Sequence, residues 1–155
     1  MITLNRLVRR RRGVGRLVGL AATRLAGVEI ALMLLLAATG RRGSALRMLA
    51  AVAGVYVASE GLGSVWPRER PFARLEGVSS LAPHEPGRSF PSRHVASGLT
   101  MAAIGGREHR RLGVLMAAVA WLLGLSRVAA GLHYPSDVLV GAVVGELLGR
   151  YLRRM

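Results

Sequence analysis

Five apolar runs alternate with polar connections along the chain, covering Leu17–Thr39, Met48–Trp66, Val95–Gly106, Leu112–Leu125 and Val138–Leu148. Ala, Leu and Met are abundant in them and period-two alternation is absent, so each reads as a helix. Several fall short of the ~20 residues that a full membrane span needs. Short helices are accommodated where they begin inside a polar, water-filled pocket, because the length rule governs lipid-exposed backbone. The pattern predicts an all-α integral-membrane bundle of about five transmembrane helices. Residues 1–16 are too charged to span and read as a basic interfacial amphipathic helix. Residues 9–22 do not form a secretory leader, because Arg16 interrupts the apolar stretch. Residues 1–155 read as one domain, with no internal repeat.

The connections differ in kind. Residues 40–47, 107–111 and 150–155 are short and basic. Residues 67–91 form a long loop with Pro67, Pro71, Pro83, Pro86 and Pro91, and it carries Glu76, His84, Glu85 and Arg88. Long loops in compact domains are usually functional. Alternating sides put the short basic connections at one membrane face and the long loop at the other. Arg70, His94, Arg127, His133 and Asp137, scattered in sequence, therefore converge on one face.

Composition sharpens this picture. The chain is 52% hydrophobic and only 5% aromatic, with a formal net charge of +14 and no lysine. The arginines sit between apolar runs and at both ends, which fits a bilayer containing anionic lipids and argues against a nucleic-acid partner. Without cysteine, disulfides and thiolate metal sites are excluded. The histidines include no His-x3-His pair, so neither metal nor other cofactor is expected. His84 and His109 lack a carboxylate at helical spacing and read as structural or interfacial. Glu29, Glu60 and Glu146 lie in apolar runs and are expected to pair with arginines inside the bundle, Arg24 and Arg47 being the candidates by side. The sequence assigns no oligomeric state.

Three clusters carry chemistry: Arg68-Glu69-Arg70-Pro71, then Phe90-Pro91-Ser92-Arg93-His94, then Ser126-Arg127 followed by His133-Tyr134-Pro135-Ser136-Asp137. If Pro135 opens a helix, Asp137 sits one turn in and can reach back to His133. A carboxylate on one imidazole nitrogen fixes the tautomer and leaves the other free as a nucleophile. His94 is placed to protonate a leaving oxygen. Arg70 and Arg127 offer planar forks that match phosphate oxygens. Ser92 and the following amides would form a helix N-terminus that favours anions. Together these are the parts of phosphoryl transfer.

The clusters resemble the type 2 phosphatidic acid phosphatase (PAP2) superfamily, whose pattern is Lys-x6-Arg-Pro, Pro-Ser-Gly-His and Ser-Arg-x5-His-x3-Asp. The third motif is complete in Ser126, Arg127, His133 and Asp137, and the match runs from residue 63 to 137. The resemblance implies a metal-independent membrane phosphatase with a phosphohistidine at His133. Asp137 would support it and His94 would act as general acid. Arg70, Ser92 and Arg127 would bind the phosphate. Two positions depart from the pattern: Gly63 stands where the family has lysine, and Arg93 where it has glycine. Arg93, or Arg68, is expected to restore the lost positive charge, with Arg68 and Ser126 as accessory residues.

The expected substrate is a lipid phosphate, with polyprenyl phosphates, diphosphates or prenyl-phosphoryl sugars favoured over phosphatidate and phosphatidylglycerophosphate. The rival reading is a non-catalytic lipid-phosphate-binding membrane protein on the same scaffold, which the loss of the lysine supports. A multi-pass plasma-membrane location follows. The arginines of residues 40–47, 107–111 and 150–154 favour an inside position for their face. Five spans, however, put the arginine-rich N-terminal arm on the active-site face. The active site is expected on the extracytoplasmic side, because its own arginines serve substrate.

Overall fold

Residues 93–108 form the helix around which the others are arranged. In the computed structural model, residues 1–154 are described, and they fold as α1 (Ile2–Arg10), α2 (Arg12–Ala38), α3 (Arg42–Val65), α4 (Pro71–Arg74), α5 (Arg93–Glu108), α6 (Arg110–Ala129) and α7 (Pro135–Leu152). No strand occurs among the described residues. The five long helices match the five apolar runs in order. The central helix α5 packs against α6, α7, α3 and α2.

This placement explains the short runs. Helices α2, α3 and α6 are long and apolar enough to cross a membrane unaided. They turn large apolar side chains outward, among them Leu34, Leu35, Val57, Leu115 and Leu122. Helix α5 has 16 residues, most of them buried, so protein rather than lipid surrounds its backbone and the spanning length does not apply. Helix α7 carries Asp137, Glu146 and Arg150 but docks closely on α5. Its Gly141, Gly145 and Gly149 form one stripe, and a Cβ on Gly145 would lie 2.5 Å from the Ala96 carbonyl oxygen. Small residues at this spacing let helix backbones approach.

Both ends of the bundle are tied. At one end, Glu108 accepts from Arg41 and Ser44, and Arg107 donates to the Arg153 carbonyl at 2.5 Å. At the other end α1 is anchored by Asn5, fully buried. Its Nδ2 donates to the Ser79 carbonyl at 3.1 Å and the Ala129 carbonyl at 2.9 Å, while its Oδ1 accepts from the Ser79 amide. The expected interfacial helix over residues 1–16 is therefore shorter. Asn5 ties α1 to the loop while α2 runs through the bundle, and the chain turns between them at the extended Arg11. Residues 12–16 belong to α2.

The intrahelical glutamates divide. Glu60 contacts Arg88 and Arg93 rather than Arg24 or Arg47, and Glu146 meets Arg150 one turn on, at 2.8 Å. Glu29 is the correction: it is buried, and neither carboxylate oxygen has a hydrogen-bond partner. Arg47 turns instead to Ser44, at 2.7 Å, and Glu108, at 3.6 Å.

Candidate active site

The site is assembled by pairing the two ends of the 67–91 loop. The Ser89 amide donates to the Arg68 carbonyl at 2.7 Å, and Glu69 bridges to Arg88. The middle of the loop is stitched to the α6–α7 connection: Phe72 N donates to Gly131 O and Leu81 N to Ala130 O, both at 3.1 Å. Gly131 makes this possible. Its φ of +77° lies in the left-handed region, and a Cβ there would lie 2.9 Å from Val78 Cγ1.

These ties bring three clusters around one pocket of about 60 Å³. Arg70, Arg127, His94 and His133 line it. Arg93 also lines it, and with it Arg88, His84 and Tyr56.

His133 is almost fully buried. Its Nδ1 lies 2.7 Å from the Ser89 carbonyl oxygen. A carbonyl only accepts, so Nδ1 carries the proton and the lone pair is on Nε2. Burial pushes the imidazole down to about 4, with Asp137 opposing that shift and the Arg127 and Arg70 charges adding to it. The expected hydrogen bond from His133 to Asp137 is replaced: the carboxylate is 3.7 Å from Nδ1. Asp137 instead accepts from the Tyr134 amide at 2.8 Å and pairs with Arg68 at 3.0 Å. Pro135 does open α7, and this puts Asp137 at the cap rather than on the ring.

The arginines are fixed by backbone carbonyls, which leaves guanidinium donors to spare. Arg70 donates from Nη1 to Leu132 O at 2.9 Å, and its Nε has no partner. Burial lowers its proton affinity first, Arg93 adds to this and Asp137 opposes it. Arg127 donates from Nη1 to Ala22 O at 3.0 Å, and its Nη2 lies 3.0 Å from His84 Nε2. The His84 Nδ1 faces the Glu85 carbonyl at 3.1 Å, so the ring is the Nδ1–H tautomer and accepts from Arg127. Burial pushes the His84 pKa down, the Glu85 carbonyl opposes this, and the neighbouring arginines add to it. A histidine read as structural therefore belongs to the pocket. Neither spacing nor periodicity signals this, because only the tertiary fold joins residue 84 to residue 127.

Other expected residues stand outside the pocket lining. Ser126 Oγ bonds back to the Leu123 carbonyl at 2.7 Å. Ser92 caps α5 as expected, but its hydroxyl is fully buried and unpartnered. Arg68 is occupied by Asp137, by Ser136 at 2.7 Å and by the Tyr134 ring at 3.6 Å. It is therefore not the free cation that would replace the lysine. His109 lies at the opposite end, between α5 and α6. No cluster of metal-ligating side chains occurs among the described residues.

The family model of the PAP2 superfamily matches residues 44–155. The chain is 37% identical over 86 residues to the bacitracin transport permease protein BcrC of Bacillus licheniformis, covering 56% of this chain and 42% of that protein. It is 35% identical over 85 residues to the undecaprenyl-diphosphatase BcrC of Bacillus subtilis, covering 55% of this chain and 44% of that one. The chain thus spans less than half the length of these two relatives. The crystal structure of Aquifex aeolicus LpxE superposes with a TM-score of 0.74 at 26% identity, covering 93% of this chain and 94% of that one.

Proposed function

Because the chain belongs to the PAP2 superfamily, we propose that it is a metal-independent membrane lipid phosphatase whose nucleophile is His133. The observation that carries this reading is the 2.7 Å contact of His133 Nδ1 with the Ser89 carbonyl. A neutral imidazole so held presents Nε2, unprotonated, to a pocket walled by Arg70 and Arg127.

Nε2 attacks phosphorus in line and forms a phosphohistidine, while His94 protonates the departing lipid oxygen. Water, deprotonated by His94 acting as base, then cleaves the phosphoryl–imidazole bond. Arg70 and Arg127 neutralise charge on the equatorial oxygens. Asp137 acts on the nucleophile through α7 and through its charge rather than by a direct bond.

The substrate is a lipid carrying a phosphate. Beside His94 lies a second, mainly apolar cavity of about 350 Å³ between α2, α3 and α5, with Ile30, Met33, Leu49 and Met101 in its walls. It supports a hydrocarbon close to the pocket. A polyprenyl-linked phosphate is favoured, in keeping with the undecaprenyl-diphosphatase name of one relative. We assign the active site to the extracytoplasmic face of the plasma membrane: Arg41, Arg42, Arg110, Arg111, Arg153 and Arg154 mark the opposite end and balance the arginines of the N-terminal arm, and the arginines of the pocket serve substrate rather than topology. Cysteine introduced at Ser80 or at Arg111 in this cysteine-free chain tests it: an impermeant thiol reagent applied to intact cells should label only the first.

Phosphate release by detergent-purified protein tests the reaction. The panel holds polyprenyl phosphate and diphosphate, a prenyl-phosphoryl pentose phosphate, phosphatidate and phosphatidylglycerophosphate. Release that persists in chelator and vanishes in His133→Ala is expected. No release from any lipid would favour a lipid-phosphate-binding protein, the reading that Gly63 in place of lysine supports.

A further inference from the structure

Gly63 leaves a space that other residues have taken. A Cβ at this position would lie 2.8 Å from the Phe90 carbonyl oxygen and 3.9 Å from Arg88 Cδ. A lysine would therefore collide with the loop backbone, and the Arg88 side chain lies over the spot instead. Beside it is a cavity of about 270 Å³ that shares Arg70, His84, Arg88 and Arg93 with the pocket at His133. The pocket at His133, about 60 Å³, has room for a single phosphoryl group. The second cavity continues it away from His133.

Two features mark the second cavity as a binding site. Arg88 and Arg93 both turn to Glu60, Arg93 at 3.8 Å. All three side chains are roughly half-exposed, so the contact is a replaceable counter-ion and not a buried bridge. Ser59 also lines the cavity, and its hydroxyl is buried without a hydrogen-bond partner. A buried hydroxyl in that state lacks an interaction that a ligand can supply.

We propose that Arg88 and Arg93, with the Ser59 hydroxyl, form a second anion subsite that takes the lipid-side phosphate of a diphosphate substrate. Glu60 holds the two guanidiniums when the subsite is empty. The proposal rests on the phosphatase reading and narrows its substrate to lipid diphosphates. The terminal phosphorus sits at His133. Its bond to Nε2 forms as its bond to the bridging oxygen breaks, and that oxygen leaves with the electron pair and takes the His94 proton. The departing lipid monophosphate remains on Arg88 and Arg93, so these residues stabilise a leaving group that a monophosphate substrate does not have.

The test uses purified full-length protein with farnesyl diphosphate and farnesyl monophosphate as probes. In Arg88→Gln and Arg93→Gln, kcat/KM for the diphosphate should fall about 30-fold further than for the monophosphate, the loss of a charge-assisted contact. Equal losses on both would overturn the subsite and make the two arginines substitutes for the missing lysine. Glu60→Gln should lower KM for the diphosphate several-fold by removing the competing carboxylate. A raised KM would mean that Glu60 is needed to hold the arginines in place, and would overturn its role as a replaceable counter-ion. Binding separates this proposal from the phosphatase reading. Wild type and both variants are titrated with inorganic pyrophosphate and with orthophosphate. Pyrophosphate preference lost in the variants supports the subsite whether or not lipid is turned over. Equal affinity for the two ions overturns it even if His133-dependent hydrolysis is found.

Discussion

His133 and Ser89 are joined by a 2.7 Å contact between the ring Nδ1 and a main-chain carbonyl, while the carboxylate of Asp137 stays 3.7 Å from the same nitrogen. The tautomer is thus set by a main-chain carbonyl rather than by a carboxylate. Ser89 is held in turn by its bond to Arg68 O, so the loop that begins beside Arg70 orients the His133 ring.

A first prediction separates orientation from charge. Asp137→Asn keeps an acceptor for the Tyr134 amide but loses the ion pair with Arg68. Activity should fall by roughly tenfold, far less than in His133→Ala, because Ser89 still fixes the ring. Asp137→Ala also removes the α7 cap and leaves Arg68 unpaired, and should cost about 1–3 kcal/mol of stability. Thermal unfolding in detergent, run beside the kinetics, checks both. A loss in Asp137→Asn equal to that of His133→Ala would show that the carboxylate bonds the ring directly.

The pH dependence follows from burial. His133 has its pKa lowered to about 4, below the 6.5 of an unfolded histidine. Protonation would destroy the Nε2 lone pair, so kcat/KM should hold steady on this account from neutral pH to about 5 and fall as pH drops through about 4. Asp137 raises this pKa, so Asp137→Asn should move the acid limb to lower pH. Stability carries the same sign. The unfolded chain binds the His133 proton from about pH 6.5 downward and the folded chain only near 4, so the contribution present above 6.5 is lost between those values. A pH–rate profile with its acid limb near 6.5 would contradict the burial argument.

His84 should act as a positioning residue. Its Nε2 accepts from Arg127 at 3.0 Å, and an uncharged acceptor there aims one guanidinium arm without competing for phosphate. His84→Ala should raise KM about fivefold, the size of one ordinary hydrogen bond, with a smaller change in kcat. His84→Gln, which can still accept, should recover much of the loss. Equal defects in the two variants would point to loop packing instead.

Much of this arrangement is legible in the sequence because it is periodic or local. The apolar runs give the helices, and alternation of sides gathers Arg70, His94, Arg127 and His133 at one end. Pro135 marks the start of α7. What stayed hidden depends on contacts between distant segments. Arg88 has no motif and acquires its place only because Gly63 leaves the space. His84 meets Arg127 through a loop fold that its neighbours in sequence do not signal. Asn5, an ordinary polar residue in a basic arm, becomes fully buried because it satisfies backbone groups of both the loop and α6. Glu29 shows the converse: charge in an apolar run suggests a partner, and the packed bundle provides none.

The last prediction concerns the joint on which the pocket depends. Gly131 ends α6 with φ +77°, and its carbonyl accepts from Phe72 N, two residues beyond Arg70. Alanine there would incur about 1–2 kcal/mol for the left-handed conformation, and its Cβ would press on Val78 and the Ser79 carbonyl at 2.9 and 3.0 Å. Those atoms belong to the segment that Asn5 also holds, so relief moves the loop away from the α6–α7 connection. That motion carries Arg70 and the Ser89 carbonyl with it, and both face His133. Gly131→Ala should therefore lose kcat/KM by more than its fall in stability accounts for at a temperature where it remains folded. Limited proteolysis should cut the 75–88 segment faster than in wild type. A variant with lowered melting temperature but wild-type turnover and an uncut loop would show that the pocket is held independently of this joint.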